Sequence, residues 1–104
     1  MSARGQIAIA GAGIAGLGTA LALLEQGFEV RLYEQASQLA EVGAGLQISP
    51  NGVKVLQHWG LAEELTPLVC AAAGKEIRLW STGQRWKLFD LGEDCLQRFG
   101  APYW

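Results

Sequence analysis

No stretch of this sequence is apolar for long enough to cross a membrane. The most apolar region, Ile7 to Leu24, is broken by four glycines and followed closely by Glu25 and Glu29. A spanning helix needs about 20 predominantly apolar residues. An export signal would place a small-residue cleavage site after its apolar stretch, and the pattern here reads better as a buried strand running into a buried helix. A cytoplasmic location is the expectation. An excess of one charge is also lacking. Eight Lys and Arg stand against ten Asp and Glu, a formal net charge of -2. The basic residues Arg4, Arg31, Lys54, Lys75, Arg78, Arg85, Lys87 and Arg98 form no run. That argues against a nucleic-acid partner and against a polybasic membrane patch. Cysteine is scarce: Cys70 and Cys95 are far apart and make no C-x-x-C pair, which excludes a disulfide framework or zinc site of the usual spacing. They read as two reduced thiols. His58 is the single histidine. No Ser, Cys or Asp spacing around it builds a nucleophilic array, and its place near a helix end suits a positive charge. Internal repeats and low-complexity tracts are absent.

What is present is apolar residues and glycine. Half of the 104 residues are hydrophobic and 14 are glycine. The length fits one domain or part of one, although a chain this size buries a smaller share of its surface than a large domain does.

Gln6 to Ala10 is a short apolar run stopping at Gly11. It reads as a strand buried on both faces, as in a parallel sheet. From Ile14 to Gln26 the period becomes helical, with Ile14, Leu17, Leu21 and Leu24 forming one apolar stripe. Gly27 can close the helix in the left-handed conformation. Phe28 to Tyr33 is a second strand. Strand, helix and strand in about 30 residues make a βαβ unit. Ala36 to Glu41 is a polar connection, and Val42 to Ser49 is a loop running into an extended piece. Ser49 can cap a helix with Pro50 at its first position. That helix carries Val53, Leu56 and Trp59, ends at Gly60, and is followed by one more helical turn over Leu61 to Leu65. From Lys75 the period is two. Ile77 and Leu79, then Trp86 and Leu88, alternate with polar neighbours across Thr82-Gly83, which predicts an antiparallel hairpin. Trp59 is expected in the core. Trp80 and Trp86 are expected to pack across the strands, with Arg78, Arg85 and Lys87 on the solvated side. Asp90 to Trp104 reads as irregular, with exposed aromatics at its end.

The sharpest feature is Gly11-Ala12-Gly13-Ile14-Ala15-Gly16, a G-x-G-x-x-G between strand and helix. Gly11 allows a tight turn, Gly13 lets backbone approach a pyrophosphate, and Gly16 lets the helix pack closely. The helix N-terminus offers N–H groups and about half a positive charge to phosphates. About 20 residues on, the second strand ends at Glu34, whose carboxylate can accept ribose hydroxyls. The same carboxylate would repel a 2′-phosphate, which disfavours NADP in this turn. A close-packed turn without ligand, and a merely solvated Glu34, are the plainer alternatives. These features alone do not choose between FAD and NAD.

The next segment narrows the choice. Glu41-Val-Gly-Ala-Gly-Leu-Gln-Ile-Ser-Pro-Asn51, then Gly52-Val-Lys-Val-Leu56 and Gly60-Leu61, resembles the FAD-dependent aromatic-ring monooxygenases, in particular the salicylate and 3-hydroxybenzoate hydroxylases. Phe99-Gly100-Ala101-Pro102-Tyr103-Trp104 resembles the same group. The likeness thus runs along essentially the whole chain. It implies an α/β fold: a Rossmann-like βαβ FAD-binding domain with a parallel sheet and an added antiparallel hairpin, incomplete relative to the family. It implies a flavoprotein monooxygenase that takes electrons from NADH or NADPH and hydroxylates phenolic aromatic acids with O2. Gly11 to Gly16 would hold the FAD pyrophosphate and Glu34 the adenosine ribose, with Gln35 standing where many relatives have Arg or Lys. Backbone from Gly43 to Leu46 would lie near the flavin ring, and Gly45 could allow that approach.

The resemblance also implies what these residues do not include. An Arg-x-x-Leu helix, an Asp-Gly motif and a Gly-Asp motif belong further along the family's chains. The expected division is residues 1–70 for FAD binding and residues 71–104 for a hairpin and tail leading toward a substrate domain, with hydroxylation not expected from this length alone. Exposed hairpin or sheet edges would favour self-association. Two other readings stay open: an NAD-binding dehydrogenase domain, and a non-catalytic nucleotide-binding module.

Overall fold

A computed structural model describes residues 4–43 and 45–104. The order of elements is β1 (Gln6–Ala10), α1 (Ile14–Glu25), β2 (Glu29–Tyr33), α2 (Pro50–His58), α3 (Ala62–Leu65), β3 (Gly74–Arg78), β4 (Arg85–Asp90) and α4 (Glu93–Phe99). The chain divides into two compact units, residues 1–43 and 44–104. This division follows packing. The division expected from the sequence falls instead at residue 70, with the βαβ unit and the following helix before it and the hairpin and tail after it. Among the described residues no helix is long and apolar enough to cross a membrane.

The first unit is a βαβ crossover. β1 and β2 pair in parallel from Gln6 opposite Glu29 to Ala10 opposite Tyr33. Gly27, at φ +83°, ends α1, and its N–H donates to the Leu24 carbonyl. The next step fixes the entry to β2: Phe28 N–H donates to Leu23 O.

Two expectations fail here. β1 is not buried on both faces; Ile7 and Ile9 are half-covered while Ala8 and Ala10 are exposed, and β2 alternates likewise. The sheet has two strands, and α1 covers one of its faces. The stripe Ile14, Leu17, Leu21 and Leu24 is exposed rather than packed. The helix instead approaches the sheet through Gly16, whose face also carries the half-buried Ala20 and Leu23. Leu17, Leu21 and Leu24 each follow one of these by one residue, about 100° around the helix. Small side chains win the inward face because they allow the closest approach.

The second unit is held by Val53, Cys95 and Ala101, all essentially fully buried. Val53 lies in α2 and Cys95 in α4. Pro50 takes the first position of α2 as expected. Ser49, however, makes no side-chain cap; its hydroxyl donates to Asn51 Oδ1 instead. β3 and β4 form the expected antiparallel hairpin, with a bulge at Lys75/Glu76. Gly83, at φ +73°, gives its N–H to Leu79 O, which closes the turn. All residues of both strands are exposed. Trp86 sits opposite Ile77, but Trp80 lies in the turn at 94% exposure and packs across nothing. Trp59 is half-buried. Arg78 and Arg85 are on the solvated surface, 3.5 and 4.0 Å from Glu76, and Lys87 is 2.9 Å from Asp90.

The segment after Asp90 is helical, not irregular. Asp90 Oδ1 accepts the Gly92 N–H, Glu93 and Asp94 fill the first turn, and Arg98 the last. These charges suit the helix dipole. Gly100, at φ +72°, closes α4 with its N–H on Leu96 O. The terminal aromatics are half-buried rather than exposed. Trp104 and Ile48 exchange both backbone hydrogen bonds, at 2.7 and 2.9 Å, and Tyr103 O accepts Ala72 N–H.

Candidate dinucleotide-binding site

The glycine turn joins β1 to α1. Gly11 has φ +104°, in the region that side chains disfavour, so the turn itself demands glycine there. Its N–H donates to Tyr33 O at 2.7 Å, tying the turn to the end of β2. Gly16 is demanded by packing. A Cβ there would stand 1.9 Å from Gly11 O and 3.6 Å from Ile9 Cγ2.

Gly13 differs from both. It is the residue before α1, with φ −74° and ψ −178°, ordinary extended backbone. A Cβ on it would meet nothing within 4 Å. Neither conformation nor packing therefore calls for glycine at this position. What its missing side chain leaves is open space over a helix N-terminus. No side chain caps that terminus and no acidic residue lies in its first turn. The first helical bond is Leu17 N–H to Gly13 O, so the preceding N–H groups, those of Ile14, Ala15 and Gly16 among them, have no partner within the helix. Unpaired N–H groups at a helix N-terminus can bind an anion.

Glu34 follows the last residue of β2 and reaches the turn. Its Oε2 accepts the Ala12 N–H at 2.8 Å, and its Oε1 accepts the Ala36 N–H at 2.9 Å. These donors hold the carboxyl below the usual glutamate value, Ala36 first, then Ala12; desolvation opposes them, and Gln35 N–H adds the least. An ionised carboxylate offers about four lone-pair sites. Ala12, Ala36 and, more weakly, Gln35 N–H groups use part of that capacity, and the rest is open to hydroxyl donors. Ala12 is the one buried residue of the turn.

The sequence-predicted residues thus fall into two groups. Gly11, Ala12, Gly13, Ile14, Ala15, Gly16, Glu34 and Gln35 come together in the first unit, with Gln35 exposed beside Glu34. Gly45 and Leu46 belong to the second unit and are exposed. Ala44, in the segment expected near a flavin ring, lies outside the described residues. A Cβ on Gly45 would meet nothing within 4 Å. The extended piece after Leu46 is held by the Ile48–Trp104 pair, and Tyr103 Oη donates to Gln47 Oε1 at 3.3 Å. That bracing was not foreseen. His58 ends α2, where a cation suits the dipole.

Known proteins resemble this chain along most of its length. The family profile for FAD dependent oxidoreductase matches residues 6–97. A 3-amino-4-hydroxybenzoate 2-monooxygenase of Streptomyces platensis is 45% identical over 97% of this chain and 26% of its own length. A 3-hydroxybenzoate 6-hydroxylase of Polaromonas naphthalenivorans is 35% identical over 93% of this chain and 24% of its own. Among solved structures, a variant of 2-methyl-3-hydroxypyridine-5-carboxylic acid oxygenase superposes with a TM-score of 0.69 at 29% identity, covering 98% of this chain and 25% of that one. The chain spans about a quarter of the length of the relatives it matches.

Proposed function

Because this chain belongs to the FAD-dependent oxidoreductases, we propose that its first unit holds the adenosine diphosphate half of FAD. The observation that carries this reading is the open space over Gly13, at a helix N-terminus with no capping side chain. Gly11 and Gly16 shape the turn. Gly13, Ile14 and Ala15 face the pyrophosphate with backbone N–H groups, and the remaining lone pairs of Glu34 accept the ribose hydroxyls. Gln35 borders that ribose subsite. Gly45 and Leu46 serve the flavin ring. Bound flavin supplies electron transfer and oxygen activation; the residues here bind and orient it.

The activity of the whole enzyme is read as NAD(P)H-dependent hydroxylation of a phenolic aromatic acid; oxygenation of hydroxybenzoates is what the relatives are named for. Because those relatives are about four times as long, these residues bind cofactor and do not hydroxylate alone. NADH-dependent hydroxylation by the purified 104-residue chain would overturn that. The location is the cytoplasm, and the exposed hairpin favours self-association.

Titration with FAD and, separately, with NAD tests the cofactor. Saturable FAD binding, with flavin absorbance bands perturbed from those of free FAD, is the expected result. Binding of NAD without FAD would replace this reading with a dehydrogenase domain.

A further inference from the structure

We propose that Glu34 is a positioning residue for the glycine turn as well as a ribose acceptor: its carboxylate holds Ala12 and Ala36 by their N–H groups and so sets the turn before any ligand arrives. Successive N–H groups of the turn are both committed to the end of β2, Gly11 to Tyr33 O at 2.7 Å and Ala12 to Glu34 Oε2 at 2.8 Å. The second of these is a side-chain tie, and Oε1 anchors the same carboxylate to the chain beyond, on Ala36. The N–H groups from Gly13 onward are then the ones left for a pyrophosphate. A turn with three glycines in six residues has much conformational freedom to lose. A charged acceptor spanning it removes part of that freedom in advance, which favours binding by preorganisation. The choice of side chain follows. Glutamine has one acceptor oxygen and can keep only one of the two N–H groups; alanine keeps neither. The strut is a property of the ligand-free chain, whereas its consequence for nucleotide binding rests on the reading proposed above.

Two measurements on the 104-residue chain test it. The first is amide hydrogen exchange by NMR without ligand, in wild type, Glu34→Gln and Glu34→Ala. Exchange at Ala12 should quicken about tenfold or more in Glu34→Ala, and in Glu34→Gln either Ala12 or Ala36, whichever the single oxygen does not hold, should quicken, while the β1–β2 ladder amides stay protected. Unchanged Ala12 exchange in both variants would overturn the strut. General loss of ladder protection in Glu34→Gln would also overturn it, since Glu34 would then support the whole unit rather than the turn. The second measurement compares ADP with 2′,3′-dideoxy-ADP by calorimetry. If Glu34 acted on ribose alone, Glu34→Ala would leave dideoxy-ADP binding unchanged. The strut predicts about fivefold weaker dideoxy-ADP binding, the effect of one lost hydrogen bond. If wild type binds neither nucleotide, the cofactor reading fails, and the exchange result alone decides the strut.

Discussion

Gly16→Ala sets two opposed effects against each other, and the structure says which wins. In a helix interior, Ala is favoured over Gly by about 1 kcal/mol. Against this, the new Cβ would lie 1.9 Å from Gly11 O. A comfortable separation is about 3.5 Å, so relief needs a movement of about 1 Å or more. Both partners are main chain. No side chain can rotate away, and either α1 must rise from the sheet or the Gly11 turn must deform. Overpacking of this kind costs about 1–3 kcal/mol, and rigid partners place it in the upper part of that range. The net expectation is a loss of about 1–2 kcal/mol. With an m-value of about 1.5 kcal/mol/M, the urea midpoint should fall by about 1 M. Gly13→Ala is the control, because its Cβ meets nothing and φ is −74°. There the poorer helix-capping rank of Ala and the lower chain entropy of the unfolded state oppose each other, and the midpoint should move little. A Gly16→Ala midpoint equal to or above wild type would refute the close approach of α1 to the turn.

Val53→Ala should destabilise the second unit by about 2 kcal/mol, since Val53 is fully buried beside few other core residues; urea unfolding followed at the tryptophans of that unit reads it. The pH dependence of the first unit follows from Glu34, whose folded pKa is lowered by Ala36, Ala12 and Gln35 N–H groups. A carboxylate of lowered folded pKa contributes stability that is present above its unfolded value, about 4.3, and lost as pH falls through the folded value. The protection factor of Ala12, its exchange rate corrected for the intrinsic pH dependence of free amides, should therefore be steady above about pH 5 and fall in acid, and Glu34→Gln should abolish that acid limb.

The glycine turn was legible as a turn because its demands are local. Gly11 needs a positive φ and Gly16 a close neighbour, and both needs show as glycine at fixed spacing after an apolar strand. The wide apolar composition of α1 misled, because periodicity marks a stripe without saying which partner meets it. Small residues at Gly16 and Ala20 were the better guide to the inward face. Helix α4 was missed although its signals were present: acidic Glu93 and Asp94, basic Arg98 and a closing Gly100. Leu91, Cys95 and Phe99 also stand four apart, a helical period, though the helix itself is only seven residues long. The Ala12–Glu34 bond joins residues 22 apart, and no spacing rule announces it. Likewise the Ile48–Trp104 pair depends on a chain return that only the folded unit displays.

The central claim is that the space over Gly13 belongs to a pyrophosphate. FAD affinity of wild type against Gly13→Val, with exchange protection of the β1–β2 ladder as the check on folding, tests it most directly. Saturable binding is expected of wild type and none of a folded Gly13→Val, whose branched side chain would fill that space. Undiminished FAD affinity in folded Gly13→Val would contradict it.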